Sequence, residues 1–328
     1  MTERRTGAYG PDDDIVDFIL GITYEIWEER GVDLIHQYYG KDCVVWGLDG
    51  ITHGAQAVVD ATWATLAAFP DRKLVAEHVI WSGSRDDGYY TSHRLLSMAT
   101  NEGPTMYGPA TGGRIRMTNI ADCVIEDGVI TREWLIRDNM MFATQLAADP
   151  LAVARDMQAN RTDEHQEWLD GEAERTRSTS VPDTAPVDPV EDPTAFAWRV
   201  LNACWTGDRE TFDSAHAPYC VLHRSPFRHY SGRHEVFDYY ESLRRIIGDP
   251  SISIDHVATQ SLSTNGADIA VRWSVTGTHT GPVMGVPPTG KPIYILGVTH
   301  WRCIAGRIAI EMTVFDDLAV LSQVVDPA

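Results

Sequence analysis

Four side chains stand in strand-like stretches and can move a proton near neutral pH. They are Glu133 in VITREWLIRDN, Glu311 in RIAIEMTVFDD, His93 in YYTSHRLL and His223 in YCVLHRSPF. A carboxylate enclosed by apolar groups loses hydration, so its pKa rises and it suits a general base. An imidazole titrates near neutrality and can take a proton beside a carbonyl or polarise its oxygen. Residues alternate in a strand, so Glu133, Leu135 and Arg137 share one face while Trp134, Ile136 and Asp138 take the other. Each candidate has a structural alternative: the glutamates can pair with a neighbouring Arg, and a His near a strand end is often simply hydrogen-bonded. Tyr24, Trp46, Asn119, His279, Thr299 and Thr313 are candidate substrate contacts, with His279 equally readable as part of a turn.

Other chemistries find no matching pattern. No His-x-x-x-His or His-Glu-x-x-His occurs, and His223 and His229 stand near no further ligand, so no metal site is expected. GPATGG lacks the Lys-Ser/Thr ending of a phosphate loop, and the Gly-x-Ser-x-Gly elbow of hydrolases is missing.

The elements that must position these residues are written twice. DGVITREWLIRDNMMFATQL (127–146) returns as AGRIAIEMTVFDDLAVLSQV (305–324), with Glu133 on Glu311, Asp138 on Asp316 and Gln145 on Gln323. The same 178-residue offset carries Gly103-Pro104 onto Gly281-Pro282, Arg94 onto Arg272 and Trp27 onto Trp205, and reads without a gap from Asp14 to Gln145. Such a long period is a duplicated domain rather than a solenoid. Each copy reads as helix, helix, strand, helix, then long strands. In the first, Asp caps precede Ile15, Phe18, Ile19, Ile22 and Ile26 at helical spacing. GAQAVVDATWATLAAFP is a helix closed by Pro70. KLVAEHVIWSG, GYYTSHRLLSMAT, RIRMTNIADCVIE and VITREWLIRDNMMF follow as strands, with Asp127-Gly128 as a hairpin turn. Helices gathered on one side of an antiparallel sheet make an α+β domain with one apolar pocket per copy if the sheet curls.

The expected divisions are 1–150, a polar helix and Pro-rich linker at 151–190, and 191–328. The stretch from 151 to 193 carries 11 acids and 4 bases, so it reads as a solvated spacer. A length of 328 residues suits two domains, and 43% hydrophobic residues suffice for ordinary cores. A net charge of −20 argues against nucleic acid and anionic membrane partners. No run approaches a transmembrane span, and MTERRTGAYGPDDDIVDF has no signal-peptide core. Five scattered cysteines without a Cys-x-x-Cys pair fit reduced thiols, so a cytoplasmic location is expected.

GTHTGPVMGVPPTGK, WRCIAGRI and FDDLAVLSQV in the second copy, with YGPATGGRI, DGVI and RDNMMFATQL in the first, resemble the SnoaL-like polyketide cyclases. These belong to the nuclear transport factor 2-like superfamily, with ketosteroid isomerase and limonene epoxide hydrolase. The resemblance implies two tandem cone-shaped domains, each a curved antiparallel sheet wrapped around three helices. It also implies a pocket for cofactor-free acid–base chemistry next to a carbonyl, or for epoxide opening. It turns the Glu133 face toward that pocket, and sets His223 where ketosteroid isomerase carries its base, with Val45 there in the first copy. The family's catalytic Asp falls on Leu135 and Thr313, and its histidines fall on Glu133 and Glu311 and on Ala121 and Thr299. The expected activity is therefore a cofactor-free lyase, isomerase or cyclase acting on a small apolar substrate. The alternatives are a binding protein without turnover and an epoxide-type hydrolase. Superfamily members commonly dimerise through their sheets, so an intrachain pseudo-dimer or a homo-oligomer is expected.

Overall fold

The computed structural model describes residues 14–183, 185–225, 227–262 and 265–327. Most of the N-terminal stretch read for an export signal, residues 1–13, lies outside them. The chain forms two compact units. One comprises the chain through Arg137 together with Met141–Asp149, and the other comprises Asp138–Met140 and Pro150 onward.

In the first unit, α1 (Ile15–Thr23) runs into a π-helical turn at Tyr24–Glu28, and α2 (Ile35–Tyr38) follows a 3-10 turn at Val32–Leu34. Asp14 caps α1 by accepting from the Val16 amide at 2.8 Å, and Ile15, Phe18, Ile19 and Ile22 bury one face. Strands β1 (Tyr39–Gly47) and β2 (Gly50–His53) make a hairpin before α3 (Gly54–Ala68). Then come β3 (Lys73–Ser84), β4 (Gly88–Thr100), β5 (Arg114–Glu126) and β6 (Val129–Arg137), closed by α4 (Asn139–Gln145). The sheet order is β2-β1-β6-β5-β4-β3. All pairings are antiparallel except β1 with β6, which is parallel and was not part of the expected meander. Asp127 and Gly128 both have positive φ, 51° and 80°, the geometry of a type I′ hairpin turn.

The second unit begins with α5 (Pro150–Ala159) and α6 (Asp163–Ser178). Helix α6 is not a solvated spacer. Its Leu169 and Ala173 are buried, and Arg175 pairs with Asp255 at 2.8 Å on the second sheet. The repeat of the first pattern follows as α7 (Pro193–Thr206), α8 (Arg209–Ala215), β7 (His216–Ser225), β8 (Arg228–Ser231) and α9 (Arg233–Ile246). It continues as β9 (Ile247–Leu262), β10 (Gly266–His279), β11 (Pro292–Ile304), β12 (Arg307–Phe315) and α10 (Asp317–Val324). Its sheet order, β8-β7-β12-β11-β10-β9, matches the first strand for strand.

The repeated residues hold equivalent joints. Gln145 accepts from the Arg116 amide at 2.8 Å and donates to the Arg116 carbonyl at 2.9 Å. Gln323 does the same to Tyr294, at the same two distances. Both final strands end sooner than the sequence pattern suggested, because the residues after Arg137 and Phe315 turn into α4 and α10. Asp316 caps α10 by accepting from the Leu318 and Ala319 amides.

The ungapped register does not survive in one place. Val45 lies beside Glu133, but Leu222, not His223, lies beside Glu311. Tyr39 pairs with Ile130, and His216 with Ile308. Strand β7 is therefore one residue out of step with β1, and the step is recovered at an irregularity between His223 and Ser225. A one-residue slip exchanges the two faces of a strand.

Candidate active site

In the first unit one face of the sheet, α1 and α3 line a cavity of about 150 Å³. Ile19 and Ile22 of α1, Val58 of α3, and Leu95 and Leu135 of the sheet give it apolar walls. Three of the sequence candidates meet there: Glu133, His93 and Asn119 all line it.

Glu133 is 5% exposed. Tyr39 donates its hydroxyl to Glu133 Oε2 at 2.8 Å, and Oε1 takes no hydrogen bond among the described residues. Burial raises the carboxyl pKa, against smaller lowering effects from the Tyr39 hydrogen bond and the Arg137 charge. Burial and the adjacent Glu133 charge push the Tyr39 phenol well above its ordinary value, so Tyr39 stays a neutral donor. Burial brings His93 down to about 3, with a smaller push from His78, so its imidazole is neutral. Its buried Nε2 has no hydrogen-bond partner. Asn119 donates to Ser97 Oγ at 2.5 Å and leaves its buried Oδ1 unpartnered. Unmet polar atoms in an apolar wall each cost about 1–3 kcal/mol, a cost a ligand can remove.

The equivalent interior of the second unit is filled. Trp273 stands where the first unit has Leu95, Tyr239 and Tyr240 where it has Ala61 and Thr62, and Trp301 where it has Cys123. Trp205, Trp273, Trp301, Tyr240 and Phe315 are among the largest fully buried side chains of the molecule. The Trp273 ring lies 5.9 Å from Trp205 and 6.1 Å from Phe315. Gly297 takes the place of Asn119, and a Cβ there would come within 2.3 Å of the Trp273 indole. The glycine is the space that the indole occupies.

Glu311 is enclosed by donors. Tyr240 reaches Oε1 at 2.5 Å and Thr313 reaches it at 2.7 Å, while His216 Nε2 lies 3.5 Å from Oε2. At that separation no hydrogen bond forms, and Oε2 has no hydrogen-bond partner. Burial raises the Glu311 pKa, but His216, Tyr240 and Thr313 together outweigh it and the net shift is downward. The expectation of a raised pKa therefore holds for Glu133 and not for Glu311. Thr299 and Thr313 join this network, not a cavity wall: Trp273 donates to Thr299 at 2.9 Å, and the two hydroxyls lie 2.9 Å apart.

The remaining candidates lie elsewhere. The register step puts His223 on the face away from Glu311, its ring 6.3 Å from that of His229. Its counterpart in the first unit is Trp46, which stacks on Trp134 at 5.1 Å outside the cavity. Tyr24 is 56% exposed and does not line the cavity. His279 pins a turn through Nδ1, 2.9 Å from Thr289 Oγ1, just as Asn101 accepts from Thr111 in the first unit. Trp27 both lines the cavity and packs against the apolar core of the first unit.

Sequence reasoning missed three cavity residues as site members: Tyr39, Arg72 and Arg137. Tyr39 follows from the parallel β1–β6 pairing, which alternation alone does not reveal. Arg137 was placed on the Glu133 face without a role, and Arg72 sits after a loop that carries no periodic signal. No group of three or more His, Cys, Asp or Glu among the described residues is placed to hold a metal ion. All five cysteines are buried and unbridged. No described helix is long and apolar enough to cross a membrane.

A two-unit α+β chain with a buried carboxylate lining an apolar cavity defines a class of protein, and comparison supplies the family. The model of the SnoaL-like polyketide cyclases matches residues 18–146 and again 195–324. The chain belongs to that family. Among solved structures it is similar to a protein assigned as a SnoaL-like polyketide cyclase from Jannaschia sp. CCS1. The identity is 19% over 45% of this chain and 99% of that one, with a TM-score of 0.37. It is also similar to IdmH, assigned as a polyketide cyclase, from Streptomyces antibioticus. There the identity is 25% over 40% of this chain and 97% of that one, with a TM-score of 0.34. Among curated proteins, none matches the chain.

Proposed function

We propose that the first unit catalyses proton transfer next to a carbonyl of a small, mostly apolar substrate, as a cofactor-free lyase, isomerase or cyclase. Glu133 is the general base. Desolvation strengthens it as a base, Tyr39 orients one oxygen, and the other is left for the substrate. His93, neutral at any working pH, donates from its imidazole to the substrate oxygen as negative charge develops there. The second unit does no chemistry: the equivalent interior is packed with aromatic rings and its glutamate accepts from two hydroxyls beside His216.

The single observation that carries this reading is Glu133, a buried carboxylate with an uncommitted oxygen at the wall of an apolar cavity. The test is solvent deuterium exchange at the α-carbon of small ketones and β-keto esters, followed by proton NMR in D2O. Catalysed exchange that is lost in Glu133→Gln supports the reading, and exchange that persists in Glu133→Gln overturns it. A binding protein without turnover is the second reading. Leu135 favours it, because a side chain that cannot ionise lines the cavity where the resemblance expects the family's Asp. Ligand binding without exchange for any compound would select that reading.

A further inference from the structure

The chain carries a net charge of −20, yet one end of its cavity is cationic. Arg72 and Arg137 both line the cavity. Arg137 Nη2 lies 3.3 Å from Asp49 Oδ2. No hydrogen bond or ion pair reaches the Arg72 guanidinium among the described residues. Glu28, the carboxylate whose charge Arg72 feels, is already taken by Lys73 at 3.1 Å and the Leu74 amide at 2.6 Å. Arg30 stands close by, its guanidinium spent on the Pro70 and Arg72 carbonyls at 2.8 and 2.9 Å. Arg30 and Lys73 thus bring two further cations to this end. Crowding of like charges adds to burial in bringing Arg72 down to about 10, so it stays protonated at neutral pH but lacks a counter-ion.

From these contacts we propose that Arg72 and Arg137 bind an anionic group of the substrate, a carboxylate on an apolar body, and so set which carbon meets Glu133. This deepens the proposed function, since it rests on the same cavity being the working site. Guanidinium suits a carboxylate because its paired N–H groups match the two oxygens. The geometry fits a small acid: Glu133 and Arg137 are four residues apart on one face of β6, roughly 13 Å between Cα atoms at strand spacing. Both side chains reach into the space between, so a carboxylate held at the arginine end leaves an acidic C–H several bonds away near the base. The filled unit supplies an internal control. Pro250 and Phe315 stand where Arg72 and Arg137 would be, so the aromatic-packed interior lacks both guanidinium groups.

The test uses the full chain and calorimetric titration with three probes of similar shape: 3-phenylpropanoate, 3-phenylpropanamide and 2-phenylethyl phosphate. The expected result is that the carboxylate binds at least tenfold more tightly than the amide. That preference should fall to below threefold in Arg72→Gln, be largely kept in Arg72→Lys, and be unchanged in Arg132→Gln, whose guanidinium pairs with Glu126 away from the cavity. Equal affinity for carboxylate and amide overturns the proposal, as does a preference that survives Arg72→Gln. A phosphate bound tenfold tighter than the carboxylate overturns the carboxylate assignment. Either failure leaves the deuterium-exchange result of Glu133→Gln untouched, so the anion site and the general base stand or fall separately.

Discussion

The two units share their strand order, hairpins and glutamine clamps, but their interiors have gone opposite ways. In the first, Leu95 and Asn119 leave a cavity, and Glu133 keeps one oxygen free. In the second, Trp273 and Gly297 fill the same place, and Glu311 accepts from Tyr240 and Thr313 with His216 3.5 Å away. The same glutamate on the same strand has a raised pKa in one setting and a lowered one in the other. What separates a base from a structural carboxylate here is the number of donors around it, since both are buried to a similar degree.

The largest expected effect is on rate. Glu133→Gln should lower catalysed exchange about a hundred- to ten-thousandfold, whereas Glu311→Gln, assayed below its melting temperature, should leave it unchanged. Equal losses in the two variants would erase the distinction between the units. Next is the cavity itself. Leu95→Trp, which copies the second unit's plug, should weaken ligand binding about a hundredfold, measured by calorimetry, without unfolding the chain.

Stability should split in the reverse direction. Glu311→Gln removes a buried charge from two donors and a neighbouring His216 and should cost about 3 kcal/mol in urea unfolding at pH 7, and Glu133→Gln should stay within about 1 kcal/mol of wild type. The pH dependence carries the same sign. The raised Glu133 pKa means its contribution favours the fold at low pH and is lost as pH rises through the folded-state value. The lowered Glu311 pKa means its contribution is present above the unfolded value and is lost as pH falls through the folded one. The smallest contrast is at the paired positions Gly297 and Asn119. Gly297→Ala should cost about 1–3 kcal/mol because its Cβ meets the Trp273 indole, and Asn119→Ala, beside open space, about 1 kcal/mol or less.

Much of the fold was legible, because period-2 alternation, the Asp-Gly turn and the repeated register are local signals. The Glu133 face was readable for the same reason. What was not legible came from non-local pairing. The parallel contact of β1 with β6 brings Tyr39 to Glu133, and nothing in the residues around Tyr39 announces it. The one-residue step in β7 leaves almost no trace in an identity count, yet it turns His223 away and brings His216 to Glu311. The filled pocket was written in the sequence as Leu95 against Trp273 and Asn119 against Gly297, but bulk at one position has meaning only once both are known to face the same space.

The account turns on two glutamates with opposite environments, and their titration tests it most directly. The full chain, labelled with carbon-13 at the glutamate side-chain carboxyls, would be titrated by NMR, with Glu133→Gln and Glu311→Gln identifying the two resonances. The resonance missing from Glu133→Gln should titrate above the ordinary glutamate range, and the one missing from Glu311→Gln below it. If the two titrate together, or in the opposite order, the first unit is not the one that carries the base.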